Sequence, residues 1–198
     1  MKAQMPSNIL AVVYSDGLAA DRFLADWGYA LRSAGLAVAG LVQLNTFVRN
    51  PSKCDMDVEE LFSGAVLQLS EDRGPQASGC RLDRSILAEA AGLLDKALDE
   101  RPDILVLNKF GKVEAEGAGL RDVLAKAVEL EVPIVVGVPF RNIDQWRIFA
   151  GDMAAECPVE SAHVRRWLLA RDLLLPHDGQ ATASHRHVWT ADKRAVEG

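Results

Sequence analysis

The 198-residue chain is poor in cysteine and aromatic residues, and it has no apolar run long enough to cross a membrane. Its three cysteines, Cys54, Cys80 and Cys157, are too widely spaced for a zinc motif or a disulfide framework. The first residues lack the apolar segment of a signal peptide, so we expect a cytoplasmic protein. The net charge of −6 argues against general binding to nucleic acid or to an anionic membrane.

Apolar runs and amphipathic segments alternate along the chain, which predicts an α/β fold with a mostly parallel sheet. The runs at 9–14, 36–44, 103–108 and 133–138 have the character of buried strands. Short alternating runs around Ser63-Gly64 predict an inserted β-hairpin. The predicted organisation is a domain at 8–150 with the hairpin at about 45–80, a helical extension at 151–175 and a mobile tail at 176–198.

Polar residues follow three of the predicted strands, and in open α/β sheets ligands bind outside the carboxyl ends of the strands. The three loops are 15–22, 108–119 and 139–142. Asp21 is expected to cap the helix that follows the first loop. The expected ligand-binding residues are Ser15, Asp16, Gly17, Asn108, Lys109, Gly111, Lys112, Glu114, Glu116 and Arg141. Arg121 adds a further cation, and a plain solvated strand-to-helix loop is the alternative interpretation.

The first of these loops occupies the place of a phosphate-binding loop but lacks its residues. A working loop has the pattern Gly-x-x-x-x-Gly-Lys-Ser/Thr. Here the loop has one glycine, Gly17, no lysine, and the two acids Asp16 and Asp21, which would repel a phosphate unless a metal intervened. A simple βα turn and a ligand contact therefore both remain open for this loop.

Two cysteines flank the predicted hairpin and suggest a secondary site. Cys54 and Cys80 could form a thiol or metal pair, with Arg81 beside them as an anion contact. The alternative is that both cysteines are small buried residues, which is common for free cysteine.

Three motifs carry a resemblance to a known family. They are NKFGKVEAEG at 108–117, CDMD at 54–57 and GCRLD at 79–83. Together they resemble an uncharacterised bacterial domain-of-unknown-function family over roughly residues 8–150. The resemblance implies little about activity beyond a connection with molybdate uptake.

More distantly, the layout is similar to small nucleoside-triphosphatases of the P-loop class, which implies a three-layer fold with a hairpin after the second strand. Those proteins have an acidic Walker B pair after the third main strand. At the aligned positions this chain has Asn108 and Lys109, while Gly111, Lys112 and Glu114 remain. The implied fold therefore carries over better than the phosphoryl-transfer reaction.

Four functions follow as hypotheses. The first is a non-hydrolysing binding protein for a nucleotide, a phosphorylated metabolite or an oxyanion. The others are a divergent nucleoside-triphosphatase, a molybdate- or tungstate-handling protein, and an interaction scaffold. The first is preferred, which makes an enzyme the less favoured reading. Nucleotide with Mg²⁺, or molybdate, are the candidate cofactors, and self-association into a homo-oligomer stays open.

Overall fold

The computed structural model describes residues 7–44, 57–71 and 81–174. Its strands, in chain order, are β1 (Ile9–Tyr14), β2 (Val38–Leu44), β3 (Asp57–Glu60), β4 (Val66–Gln68), β5 (Ser70–Glu71), β6 (Arg81–Leu82), β7 (Ile104–Leu107), β8 (Ile134–Pro139) and β9 (Ala154–Cys157). Its helices are α1 (Gly17–Ser33), α2 (Arg84–Asp99), α3 (Lys112–Ala115), α4 (Arg121–Glu129), α5 (Ile143–Ala150) and α6 (Ser161–Leu169). Short 3-10 turns at Phe140–Asn142 and Gly151–Met153 flank α5.

Seven strands form one sheet in the order β4-β3-β2-β7-β8-β1-β9. Strands β2, β7, β8, β1 and β9 pair in parallel, whereas the β3–β4 hairpin adds antiparallel to β2. β5 and β6 form a separate two-stranded ribbon. The predicted mostly parallel sheet with an inserted β-hairpin is confirmed.

The sheet lies between two helical layers, as the predicted three-layer fold requires. Helices α1 and α6 cover one face with the apolar side chains of Leu24, Leu31 and Trp167 among others. Helices α2, α4 and α5 cover the opposite face, where Leu94, Leu124 and others pack. Within the described ranges, no helix has an apolar stretch long enough to span a lipid bilayer.

The segment 151–175, expected to be helical, also contains a strand. β9 pairs in parallel with β1 and forms one edge of the sheet, so the sheet continues past residue 150. Its sequence, Ala-Ala-Glu-Cys, has no β-branched or aromatic residue, and such residues carry most of the strand signal. The predicted tail at 176–198 lies outside the described residues.

Capping residues explain where the two long helices begin. Asp83 accepts hydrogen bonds from the backbone N–H groups of Ser85 and Ile86 and starts α2 as predicted. For α1 the predicted cap, Asp21, is wrong. Asp16 is the N-cap and accepts a 3.2 Å bond from the N–H of Ala19, which leaves Asp21 inside the helix.

Candidate functional site

The carboxyl ends of three neighbouring strands bring the predicted loops together. β7, β8 and β1 are adjacent and parallel, so the residues that follow them share one edge of the sheet. Asn108 and Lys109 follow β7, Arg141 follows β8, and Ser15 and Asp16 follow β1. We call this edge, formed by 14–21, 108–111 and 139–142, the carboxyl edge.

A buried polar pair lies at the centre of the carboxyl edge. The Asn108 side chain donates from Nδ2 to Asp21 Oδ1 at 2.9 Å, and more weakly to Gln43 Oε1 at 3.4 Å. Asp21 is 6% exposed and Asn108 7% exposed. The pair joins the first turns of α1 to the end of β7, so Asp21 faces the sheet rather than solvent.

A glycine in β8 allows α1 to lie close enough for this contact. A Cβ atom at Gly137 would lie 2.3 Å from the backbone oxygen of Asn108 and 2.7 Å from Leu24 Cδ1. Leu24 is one helical turn beyond Asp21, on the same face of α1. The absence of a side chain at residue 137 thus sets the depth at which Asp21 meets Asn108.

Two buried oxygen atoms at this edge have no hydrogen-bond partner in the described part of the chain: the Tyr14 hydroxyl and Asn108 Oδ1. Tyr14 is 6% exposed, and its burial raises the pKa of its hydroxyl, with the charge of Asp21 adding to the shift and that of Arg141 opposing it. Tyr14 therefore lies within the electrostatic reach of both an acid and a base. Unpaired buried polar atoms are uncommon in folded proteins, and they frequently mark a ligand position.

The loop after β7 is held by Glu114 rather than by an exposed site. The buried Glu114 carboxylate accepts from the N–H of Gly111 at 2.8 Å and from the N–H of Leu120 at 3.0 Å. Gly119, with φ of +66°, leaves room for it, since a Cβ there would lie 2.1 Å from Glu114 Oε1. Both oxygens of Glu114 are thus committed to the backbone of the loop.

Phe110 anchors the same loop in the core. It is fully buried, and its ring meets the Trp146 ring edge-on at a centroid distance of 5.2 Å. Asn142, at the end of the β8 loop, donates to the backbone oxygen of Phe110 at 3.0 Å. The loops after β7 and β8 are therefore fixed to each other.

Three predicted cationic or acidic residues are engaged away from the buried pair. Lys112 and Glu116 form an exposed ion pair along α3 at 3.6 Å. Arg121 lies over the Phe149 ring at 4.4 Å and donates to the backbone oxygen of Glu114. These residues support the loop and its surface.

Lys109 and Arg141 are different, because neither side chain has a hydrogen-bond or ion-pair partner within the ranges that the structure describes. Lys109 is half-buried and Arg141 is exposed, and they follow two adjacent strands. Of the first loop, Asp16 caps α1, Ser15 is exposed, and Gly17 has open space around it. The edge therefore carries two uncommitted cations beside a buried acid.

The chain was compared with known proteins. The family model described as "Protein of unknown function (DUF2478)" matches residues 9–167. The chain belongs to this family. The match includes β9, so the family region extends beyond the boundary expected at residue 150.

The chain is also similar to a protein named "Molybdenum import ATP-binding protein ModC 2" from Bradyrhizobium diazoefficiens. The two are 31% identical over 164 residues, which is 82% of this chain. The chain spans only 18% of that protein's length. No solved structure matches. The mostly parallel three-layer sheet and this similarity agree with the predicted P-loop-like fold.

Sequence reasoning missed two members of the site, Tyr14 and Gln43, and assigned Asp21 to a cap. One signal could have placed Asp21 correctly: it falls three residues before Leu24 and seven before Gly28, in the buried stripe of α1. Cys54 and Cys80 lie outside the described residues, and Arg81 is described only by its main chain in β6. The predicted secondary site stays a prediction.

The described residues hold no group of three or more His, Cys, Asp or Glu side chains that could bind a metal ion. An ion of the Mg²⁺ type needs fewer, since it commonly uses one or two carboxylates together with ligand phosphates and water. Asp21, with the oxygen of Asn108 beside it, fits that smaller requirement.

Proposed function

We propose that the chain is a non-hydrolysing binding protein for a small anionic ligand held at the carboxyl edge. The observation that carries this proposal is the pair of unpartnered cations, Lys109 and Arg141, at the ends of adjacent strands. A guanidinium supplies several N–H donors in a fixed plane and an ammonium supplies three, which suits the oxygens of a phosphate or another oxyanion. The ligand classes are a nucleotide, a phosphorylated metabolite and an oxyanion.

The edge lacks the groups that hydrolysis of a nucleoside triphosphate uses. Phosphoryl transfer depends on a lysine and hydroxyl in the phosphate loop and on acids that position Mg²⁺ and water. Here an amide, Asn108, follows β7, and the one buried acid of that loop, Glu114, accepts two backbone N–H bonds. Binding without turnover is the function that these side chains support.

The relative's name makes molybdate the first oxyanion to test. A protein named for molybdenum import contains a region similar to this chain. Molybdate is a tetrahedral dianion, and two cations on a sheet edge complement its charge. A molybdate-handling role, within or beside an import system, is therefore our second candidate, and it uses the same two side chains.

A thermal-shift screen followed by calorimetry tests the proposal, because a ligand that binds only the folded state raises its stability. The probes are molybdate, tungstate, sulfate, phosphate, ATP and ADP, in EDTA to remove divalent cations. We expect at least one probe to bind, and Lys109→Ala and Arg141→Ala each to weaken it about tenfold or more. Lys96→Ala is the matched control, since Lys96 is exposed at the far end of α2.

The result that contradicts the proposal is clear on either side. If wild-type protein binds none of the probes, the carboxyl edge is not an anion site. If binding occurs but the Lys109 and Arg141 variants match Lys96→Ala, the ligand binds elsewhere. Molybdate binding with no effect of sulfate would favour the molybdate role over a general anion site.

A further inference from the structure

We infer that Asp21, Asn108 and Tyr14 form a site for a hard divalent cation of the Mg²⁺ class. The cation would be held by the Asp21 carboxylate and the Asn108 carboxamide oxygen, with water and the anionic ligand completing its shell. The anion half of this inference rests on the proposed function. Cation binding by the three side chains stands by itself and is tested separately.

The first observation is that a buried carboxylate is incompletely satisfied. Asp21 is 6% exposed, and its one hydrogen-bond donor in the described part of the chain is Asn108 Nδ2, on Oδ1. No Lys or Arg forms an ion pair with it among the described residues. A buried charge without a partner is costly, so a compensating positive charge is expected beside it.

The second observation is independent of the acid. Asn108 Oδ1 and the Tyr14 hydroxyl are each buried and lack a hydrogen-bond partner within the described ranges. Asn108 uses Nδ2 to hold Asp21, which leaves its oxygen as an unused acceptor next to the carboxylate. All the unused atoms at this position are oxygens.

An oxygen-only set selects the kind of cation. Carboxylate, carbonyl and water oxygens suit Mg²⁺, Ca²⁺ and Mn²⁺, whereas Zn²⁺ favours the nitrogen and sulfur ligands that are missing here. Mg²⁺ keeps several waters and is commonly bound through one or two carboxylates plus ligand phosphates. A single acid with an amide oxygen predicts weak binding of the cation alone and tighter binding with an anion present.

The cation position adjoins the proposed anion position. The charges of Asp21 and Arg141 both act on Tyr14, which lies at the end of β1 between them. Lys109 directly follows Asn108 in the chain. An anion on Lys109 and Arg141 would therefore have oxygens close to a cation on Asp21 and Asn108, so the two ligands should bind with positive coupling.

Binding of Mn²⁺ to the full chain, followed by electron paramagnetic resonance of the free ion, tests the cation site without any anion. We expect Asp21→Asn to weaken Mn²⁺ binding at least tenfold while keeping an acceptor for Asn108 Nδ2. Asp144→Asn is the matched control, an exposed acid in the first turn of α5. Equal Mn²⁺ binding by wild-type protein and Asp21→Asn would overturn the inference.

A second variant keeps the test decisive if Asp21→Asn does not fold. Asn108→Asp places a second carboxylate against Asp21, so its melting temperature should fall in EDTA and rise with Mg²⁺ or Ca²⁺ well beyond any rise in the wild type. A melting temperature that divalent cations leave unchanged would contradict the inference.

The two proposals fail in distinguishable ways. Anion binding in EDTA with no Mn²⁺ binding would retain the proposed function and remove the cation site. Mn²⁺ binding that depends on Asp21, with no anion bound, would do the reverse. Where both bind, we expect Mg²⁺ to tighten the anion at least fivefold in wild-type protein and to have no effect in Asp21→Asn.

Discussion

The Asn108 side chain donates a 2.9 Å hydrogen bond to Asp21, a residue 87 positions earlier in the chain. The bond joins the end of β7 to the first turns of α1, beneath the loops of the carboxyl edge. In the P-loop class that the layout resembles, an acid would follow β7. Here the amide is on the strand and the acid is on the helix, which changes what the edge can bind.

Replacing Glu114 should cost stability rather than activity. In Glu114→Gln, one backbone N–H of the loop would face an amide N–H₂ group instead of a carboxylate oxygen. Leaving a buried donor unpaired costs about 1–3 kcal/mol, so the free energy of unfolding should fall by that amount in urea denaturation. Glu116→Gln is the control, because its exposed pair with Lys112 should contribute about 0.5 kcal/mol or less. Similar losses in the two variants would contradict this role for Glu114.

Replacing Gly137 should disturb the contact between α1 and the sheet. The added methyl of Gly137→Ala would overlap the Asn108 backbone oxygen and Leu24. Overpacking of this kind typically costs about 1–3 kcal/mol or more, measured as a lower free energy of unfolding. The control is Gly92→Ala, in the exposed interior of α2 with open space around it. It should stabilise the protein by about 0.5–1 kcal/mol. A neutral Gly137→Ala would show that α1 can move away from β8.

Cys157 should react slowly in the folded protein. Burial, with a smaller contribution from the charge of Glu160, raises the pKa of its thiol from 9.0 to about 11. Because the thiolate is the reactive form, a shift of two pKa units should slow alkylation at pH 8 roughly a hundredfold relative to unfolded protein. Peptide mapping by mass spectrometry after iodoacetamide treatment, with and without urea, measures this. Equal labelling in both states would contradict it.

The same shift gives a sign for the dependence of stability on pH. The folded pKa is above the unfolded one, so the contribution of Cys157 to stability is complete below about pH 9. It is lost as the pH rises through about 11. Cys157→Ala should therefore show a smaller loss of stability than wild-type protein over that interval.

The chain should not hydrolyse nucleotides. The amide of Asn108 and the backbone-bound Glu114 leave no acid of the β7 loop to position water or a metal in the way that phosphoryl transfer requires. With Mg²⁺ and a panel of nucleoside triphosphates, phosphate release should not exceed that of Glu114→Gln. Turnover above this control would favour the divergent nucleoside-triphosphatase instead.

The sequence predicted the sheet well where burial is continuous. β1 was expected at 9–14 and is Ile9–Tyr14, and β7 and β8 differ from their predicted bounds by a residue at each end. Long apolar runs rich in Val and Ile have few alternatives to a central parallel strand. β9 escaped because two alanines, a glutamate and a cysteine carry no such signal, and only pairing with β1 makes them a strand.

The candidate site was predicted in outline but not in its pairing. Strand ends placed Asn108, Lys109 and Arg141 on one edge, and the structure brings them there. The roles of Asp21 and Glu114 depend on tertiary contacts. Asp16 and Asp21 are both suitable caps by type, and only the register of α1 on Gly137 decides which one is buried. The partners of Glu114 are backbone groups, which carry no sequence signal.

The most direct test of the account is calorimetry on the double variant Lys109→Ala/Arg141→Ala, using the anion that binds wild-type protein best. Both residues lie outside the hydrogen-bond network of the described residues, so the variant should fold with an unchanged melting temperature in the absence of ligand. We predict that it loses anion binding altogether, while Lys96→Ala keeps the wild-type dissociation constant. A folded double variant that binds the anion as tightly as wild-type protein would contradict the central claim that the carboxyl edge is the binding site.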